Sequence, residues 1–183
     1  MARFTKTNWL ETGLQLLGKD GPNALRIDQL CVAAKRTRGS FYHHFSDREA
    51  YVIALVDHWR QTRTSAVIEK TNANATTAKQ GLHDLMLNVM DVEGDFEIAI
   101  RRWAASDERV ATTLAQVDQE RIDYMAGLLQ QAHDVPCKTA MDLAIIQYAI
   151  FLGVLSLGKM VSVDERRSMG RLLSKMIENS FDS

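Results

Sequence analysis

Glycine and proline are scarce in this chain of 183 residues, at ten and two respectively. Few positions are therefore suited to the tight turns that link many short strands. Sustained alternation of apolar and polar residues is also missing, whereas Leu, Ala and Met are plentiful, so the sequence predicts an all-α chain. Cysteine is rarer still. Cys31 and Cys137 stand alone inside apolar helical patterns, which excludes a disulfide framework and fits reduced thiols, a redox pair being the alternative. No signal peptide is visible, because Met1-Ala-Arg-Phe-Thr-Lys6 leads straight into an amphipathic pattern, and a cytoplasmic protein is expected. Catalytic groupings are lacking too. Asp91, Glu93 and Asp95 surround Gly94 with no His beside them, Asp118, Glu120 and Asp123 with Arg121 read as a solvated helix face, and no Cys-His or Ser-His-Asp set or phosphate-binding Gly loop occurs. Neither an enzyme nor a metal or cofactor is expected.

A net charge of −1 conceals an asymmetry. Residues 1–60 carry nine Lys or Arg against six Asp or Glu, and the remainder thirteen against seventeen. A polyanion would meet the N-terminal third and not the rest. There a first helix begins near Thr5 or Thr7, buries Leu10, Leu14 and Leu17, and ends at Gly21-Pro22. A second runs from about Ile27 to Ala34, burying Ile27, Leu30, Cys31 and Ala34. After Lys35-Arg36, Thr37 caps a short third helix reaching His43 or His44, anchored by Phe41 and Phe45. Ser46 can cap a long helix starting at Asp47, which Ala50, Ile53, Ala54 and Trp59 continue toward Val67 and Ile68.

The polar residues 71–77 read as a loop. Amphipathic helices follow at about 78–90, 95–106 and 107–133, with an apolar stretch over 137–160 and a last helix over 164–181. The run from Met141 to Leu157 approaches the length of a membrane span, but Asp142, Gln147 and Ser156 interrupt it. It reads instead as a helix buried on two sides, by its own domain and by a partner subunit.

Residues 26–48 carry the chemistry. In a helix-turn-helix the second helix lies in the DNA major groove, with its N-terminal residues toward base edges and nearby basic groups on phosphates. Thr37 and Ser40 offer hydroxyls here, Arg38 a fork for guanine O6 and N7, and Gly39 a close approach to the sugar-phosphate wall. Tyr42, His43 and Arg48 can reach the backbone. Lys35, Arg36 and Arg38 could be no more than a solvated cluster, yet they gather at the one turn where such a unit would present them together.

Gly39-Ser-Phe-Tyr-His-His-Phe45 followed by Ser46-Asp-Arg-Glu49 resembles the Gly-Thr-Leu-Tyr-x-x-Phe-x-x-Lys-Glu pattern of the TetR family of bacterial transcriptional regulators, with Arg48 in the lysine position. Gly21, Ile27, Leu30 and Ala34 also fit, over residues 8–60, and Phe96 to Ala104 is similar to some members. The family's Ala-Gly-Val-Ser turn is here Ala34-Lys-Arg-Thr37, and its capping Thr is Arg26. Each departure adds positive charge, so Arg26, Lys35 and Arg36 are expected to grip phosphates.

The resemblance implies a DNA-binding domain over residues 1–50 and a helical ligand-binding and dimerisation domain over 51–183. It implies a homodimer on a palindromic double-stranded operator and, most often, repression relieved by a small molecule. The last two helices would form the dimer contact, for which Gly153, Leu155, Leu172, Leu173 and Met176 are the expected residues, a monomer core being the plain alternative. A pocket among the middle helices would draw on His83, Met86, Trp103, Tyr124, Gln147, Tyr148 and Phe151, and its walls favour a largely apolar effector. The rival reading keeps DNA binding and gives the second domain only dimerisation or a protein partner.

Overall fold

A computed structural model describes residues 4–90 and 94–181, and every regular element among these residues is helical. Asp91 and Glu93 of the acidic group lie outside the described residues. Two compact units result, the first holding the chain up to residue 62 together with 95–116, the second holding 63–94 and the chain from 117 onward.

In the first unit, α1 (Lys6–Asp20) begins at a capping box: the Thr5 hydroxyl accepts the Asn8 N–H at 3.2 Å, and Asn8 Oδ1 accepts the Thr5 N–H at 2.8 Å. It buries Trp9 along with the expected Leu10, Leu14 and Leu17. The helix stops at Gly21, whose φ of 75° suits a residue without Cβ. A 3₁₀ turn, Pro22–Ala24, leads to α2 (Ile27–Ala34), which buries Leu30, Cys31 and Ala34 but leaves Ile27 only half covered. Then come α3 (Arg38–Tyr42) and α4 (Arg48–Arg60). Asp47, and not Ser46, caps α4. Its carboxylate accepts the Ala50 N–H at 2.8 Å while the Ser46 hydroxyl donates to its other oxygen at 3.0 Å, so Ser46 supports the cap.

The core of this unit is aromatic. Phe41 lies 5.4 Å from Trp9, 5.2 Å from Phe45 and 5.3 Å from Tyr51, centroid to centroid. The buried Tyr51 hydroxyl donates to the Trp9 carbonyl at 3.0 Å, pinning α4 to α1, and burial pushes that phenol's pKa up. The inward face of α4 is Tyr51, Val52, Leu55, Val56 and Trp59, whereas Ile53 faces out. Phe96 of α7 (Gly94–Ala104) packs near Trp59, and Val110 and Leu114 at the start of α8 (Glu108–His133) are buried as well.

Helical backbone does not stop at Arg60. A π-helical turn, Gln61–Ser65, carries it into α5 (Ala66–Asn74) of the second unit. Thr62 bonds back to the His58 carbonyl at 2.8 Å, an added acceptor demand of the kind that loosens a regular ladder. The expected loop over 71–77 is helical to Asn74, because Thr71 is buried and its hydroxyl bonds the Val67 carbonyl. Next are α6 (Ala78–Met90), α9 (Cys137–Ser156), the 3₁₀ turn Gly158–Met160 and α10 (Val163–Phe181). Leu129 of α8 with Ala140 and Ala144 of α9 centre this core, and α10 lays Gly170 against Met86 and Met90 of α6.

One face of α9 is inside, through Ala140, Ala144, Tyr148, Val154 and Leu155. Another is open, with Ile145 48%, Ile146 53% and Ile150 38% exposed. By length and composition alone, α9 could cross a membrane.

Candidate nucleic-acid interface

The turn between α2 and α3 is a complete Schellman motif. The Arg36 N–H donates to the Cys31 carbonyl at 3.0 Å and the Lys35 N–H to the Val32 carbonyl at 3.1 Å. Lys35 occupies the left-handed position, φ 52° and ψ 48°, where most chains would place Gly, at a cost of about 1 kcal/mol. Its side chain is thereby held on the open side of the turn. Thr37 then caps α3 through the Ser40 N–H, at 3.3 Å.

With Phe41 fixed in the core, the geometry of α3 leaves Arg38, Gly39, Tyr42 and His43 facing outward. The half-exposed Tyr42 sets its ring edge-on to Phe41 at 5.6 Å. A Cβ built on Gly39 would meet only Thr37 Oγ1, at 3.8 Å. Nothing inside the fold requires this glycine, although glycine in a helix costs roughly 0.5–1 kcal/mol relative to alanine. The space it leaves is outside the protein.

The basic residues divide by how they are held. Arg38, at the start of α3, places Nε 2.7 Å and Nη2 2.5 Å from one oxygen of Asp28 on α2. This contact keeps its guanidinium charged even more firmly than usual. Arg36 stacks over the Phe4 ring at 4.8 Å and donates to the Lys35 carbonyl at 2.9 Å. Arg48 Nε donates to the Leu25 carbonyl at 3.1 Å, tying α4 to the segment before α2. Arg36 and Arg48 are thus braced by the fold as well as exposed, beyond the plain phosphate role expected of them. Arg26 is exposed and makes no capping bond, in keeping with the loss of a capping Thr. Sequence reading missed Asp28 and Phe4. The available signal for Asp28 was that no other acid occurs between residues 21 and 46.

The expected ligand residues divide between the two units. Trp103 is buried in the first unit, while the other six belong to the second. His83 is exposed. Met86 packs against Gly170, and Tyr124 donates to Asn72 Oδ1 at 2.8 Å. Tyr148 is buried and its hydroxyl is used twice, accepting from Arg121 Nη1 at 3.1 Å and donating to Asp118 Oδ1 at 2.7 Å. Arg121 also reaches Thr64 Oγ1 at 3.0 Å, so it and Asp118 are part of an internal network and not of a solvated face. Phe151 stacks on Tyr148 at 6.0 Å, and Gln147 is half-buried. The first unit has an open concavity of about 390 Å³, lined by Leu16, Ala24, Val32 and Ala33 together with Asp20, Asp28 and Gln29. No group of three or more metal-ligating side chains occurs among the described residues.

Of the expected dimer residues, Leu172 and Met176 are 60% and 61% exposed on α10, Leu173 is half-buried, and Gly153 stands in open space. Leu155 departs from expectation: it is buried in its own chain, where its side chain covers Gly94.

Residues 10–55 match the family model of bacterial regulatory proteins, tetR family. No curated protein matches the chain in sequence. Among solved structures, a TetR-family transcriptional regulator from Streptomyces coelicolor superposes with a TM-score of 0.82 at 15% identity, over 99% of this chain and 92% of that one. A TetR transcriptional regulator from Legionella pneumophila gives 0.70 at 17%, over 100% and 97%. The regulator FadR from Bacillus subtilis, in complex with stearoyl-CoA, gives 0.71 at 10%, over 94% and 97%. Such identities speak for the fold, and the matched segment contains the whole of α2, the turn and α3. Residues 10–55 thus carry the sequence signature of the tetR family of bacterial regulatory proteins, and the chain as a whole has the fold of solved TetR-family regulators.

Proposed function

We propose that this chain is a cytoplasmic repressor of the TetR family that binds a palindromic operator as a homodimer and leaves it when a small, largely apolar effector binds. Residues 1–50 would read the DNA and residues 51–183 would dimerise and sense. The observation that carries the DNA reading is the exposed row Arg38, Gly39, Tyr42 and His43 on a helix whose only buried side chain is Phe41. Thr37, Arg38 and Ser40 would meet base edges, Gly39 would let the helix approach the sugar-phosphate wall, and Arg26, Lys35, Arg36, Tyr42, His43 and Arg48 would hold phosphates.

Dimerisation is supported by the open apolar faces of α9 and α10, where Ile145, Ile146, Leu172 and Met176 lack cover in the single chain. A partner subunit would cover them in place of lipid. Effector binding in the second unit would change the spacing of the two recognition helices, so that both no longer fit successive grooves. A protein of the same fold solved with stearoyl-CoA, a ligand with a long apolar acyl chain, is in keeping with an effector that carries apolar surface.

A second reading, in which the C-terminal domain only dimerises or binds a protein, is favoured by one finding. The Tyr124 and Tyr148 hydroxyls already have partners inside the chain. Metabolite fractions added to the DNA-bound protein separate the readings: release by an apolar fraction supports the effector, and retention under every fraction supports the rival.

A further inference from the structure

Asp28 is an acid on a surface that would meet a polyanion. Its place there has a local cost, because a carboxylate near phosphates repels them. Asp28 stands in the first turn of α2, where a carboxylate suits the helix dipole, but that role needs no contact with Arg38, and the pair itself is about two-thirds exposed on both sides, where such pairs contribute little. The geometry of the pair is more informative. Arg38 Nε and Nη2 converge on a single carboxylate oxygen, at 2.7 Å and 2.5 Å, so Asp28 takes the side edge of the guanidinium. The end fork, Nη1 with the second proton of Nη2, is not used by that contact. This is the fork that can donate to O6 and N7 of one guanine.

We infer that Asp28 is a positioning residue that fixes the Arg38 guanidinium with its end fork outward, giving the protein a preference for guanine at one base pair of each half-site. The inference rests on the proposed reading of α3 as the recognition helix. An arginine on a flexible stem can serve any phosphate or any purine acceptor. Holding its plane from the second helix confines the fork to one direction, so less freedom is lost when the paired hydrogen bonds form. Asp28 therefore trades general attraction to DNA for selectivity.

That trade gives opposite signs to two measurements. Duplexes enriched by the intact wild-type protein from a randomised pool supply the probe, and binding is measured on the best duplex and on its single-base variants. Arg38→Ala should reduce the preference for guanine at one position by about 5- to 100-fold. Asp28→Asn should reduce preference at that same position by about three- to tenfold while raising affinity for unrelated duplex DNA at low salt, because one negative charge is gone. Asp28→Glu, which keeps the carboxylate, should recover part of the preference, and circular dichroism of both variants checks the fold. Equal loss at all positions, or tighter binding with the guanine preference intact, would overturn the inference. If Arg38→Ala changes neither affinity nor preference, it is the recognition-helix reading that fails.

Discussion

Gly39→Ala separates what α3 needs as a helix from what it needs as a reader. Inside the protein the added methyl has room, since its nearest neighbour would be Thr37 Oγ1 at 3.8 Å, an ordinary contact. The change removes the conformational entropy that a helical glycine loses on folding, so the variant should be more stable by roughly 0.5–1 kcal/mol. Outside, the same methyl stands where the helix would face the sugar-phosphate wall. Forcing one methyl into a packed contact costs about 1–3 kcal/mol, which is about a 5- to 150-fold loss of operator affinity. Urea unfolding followed by Trp fluorescence reads the first effect, and anisotropy of a labelled operator duplex the second. A variant that is more stable and binds as tightly as wild type refutes the close approach of α3 to DNA. One that is less stable refutes the reading of its interior.

Lys35→Gly should stabilise the fold by about 1 kcal/mol, by relieving the left-handed lysine, and lower the salt slope of operator binding by up to about 1. Urea titration and binding at several salt concentrations check the pair of effects. Leu172→Glu together with Met176→Glu should convert the proposed dimer to a monomer in sedimentation equilibrium, because burying each apolar side chain would otherwise contribute about 1.5–3 kcal/mol. Operator affinity should fall with it. The Ala50 N–H and the Ser46 hydroxyl hold the Asp47 carboxyl below its usual pKa, so its contribution is present above about pH 4 and is lost as pH falls through the lowered value. Asp47→Asn should accordingly melt below wild type at pH 7 and converge with it as the pH falls through the lowered value.

The DNA-facing third was legible because each of its signals is local. Thr37 before a small-residue helix, Phe41 and Phe45 four apart, and Gly21-Pro22 fix caps, core and stop within a few residues of one another. The cap of α4 slipped by one residue because Ser46 and Asp47 are equally competent in sequence, and only the backbone selects between them. The π turn at 61–65 has no Gly or Pro to announce it. Partners distant in the chain were the main loss. Tyr148 read as a polar interruption of an apolar face, whereas Arg121 and Asp118 on α8 satisfy it. In α9, where nearly every position is apolar, periodicity could not say that Leu155 turns inward and Ile146 outward.

The central claim is that α3 of two copies enters successive major grooves. Selection of duplexes by the full-length protein, followed by methylation interference at guanine N7, tests it most directly. Inverted repeats with half-sites about one helical turn apart, blocked by methylation of one guanine in each half, are the expected result. Enrichment of no sequence, or of single sites indifferent to N7 methylation, would contradict it.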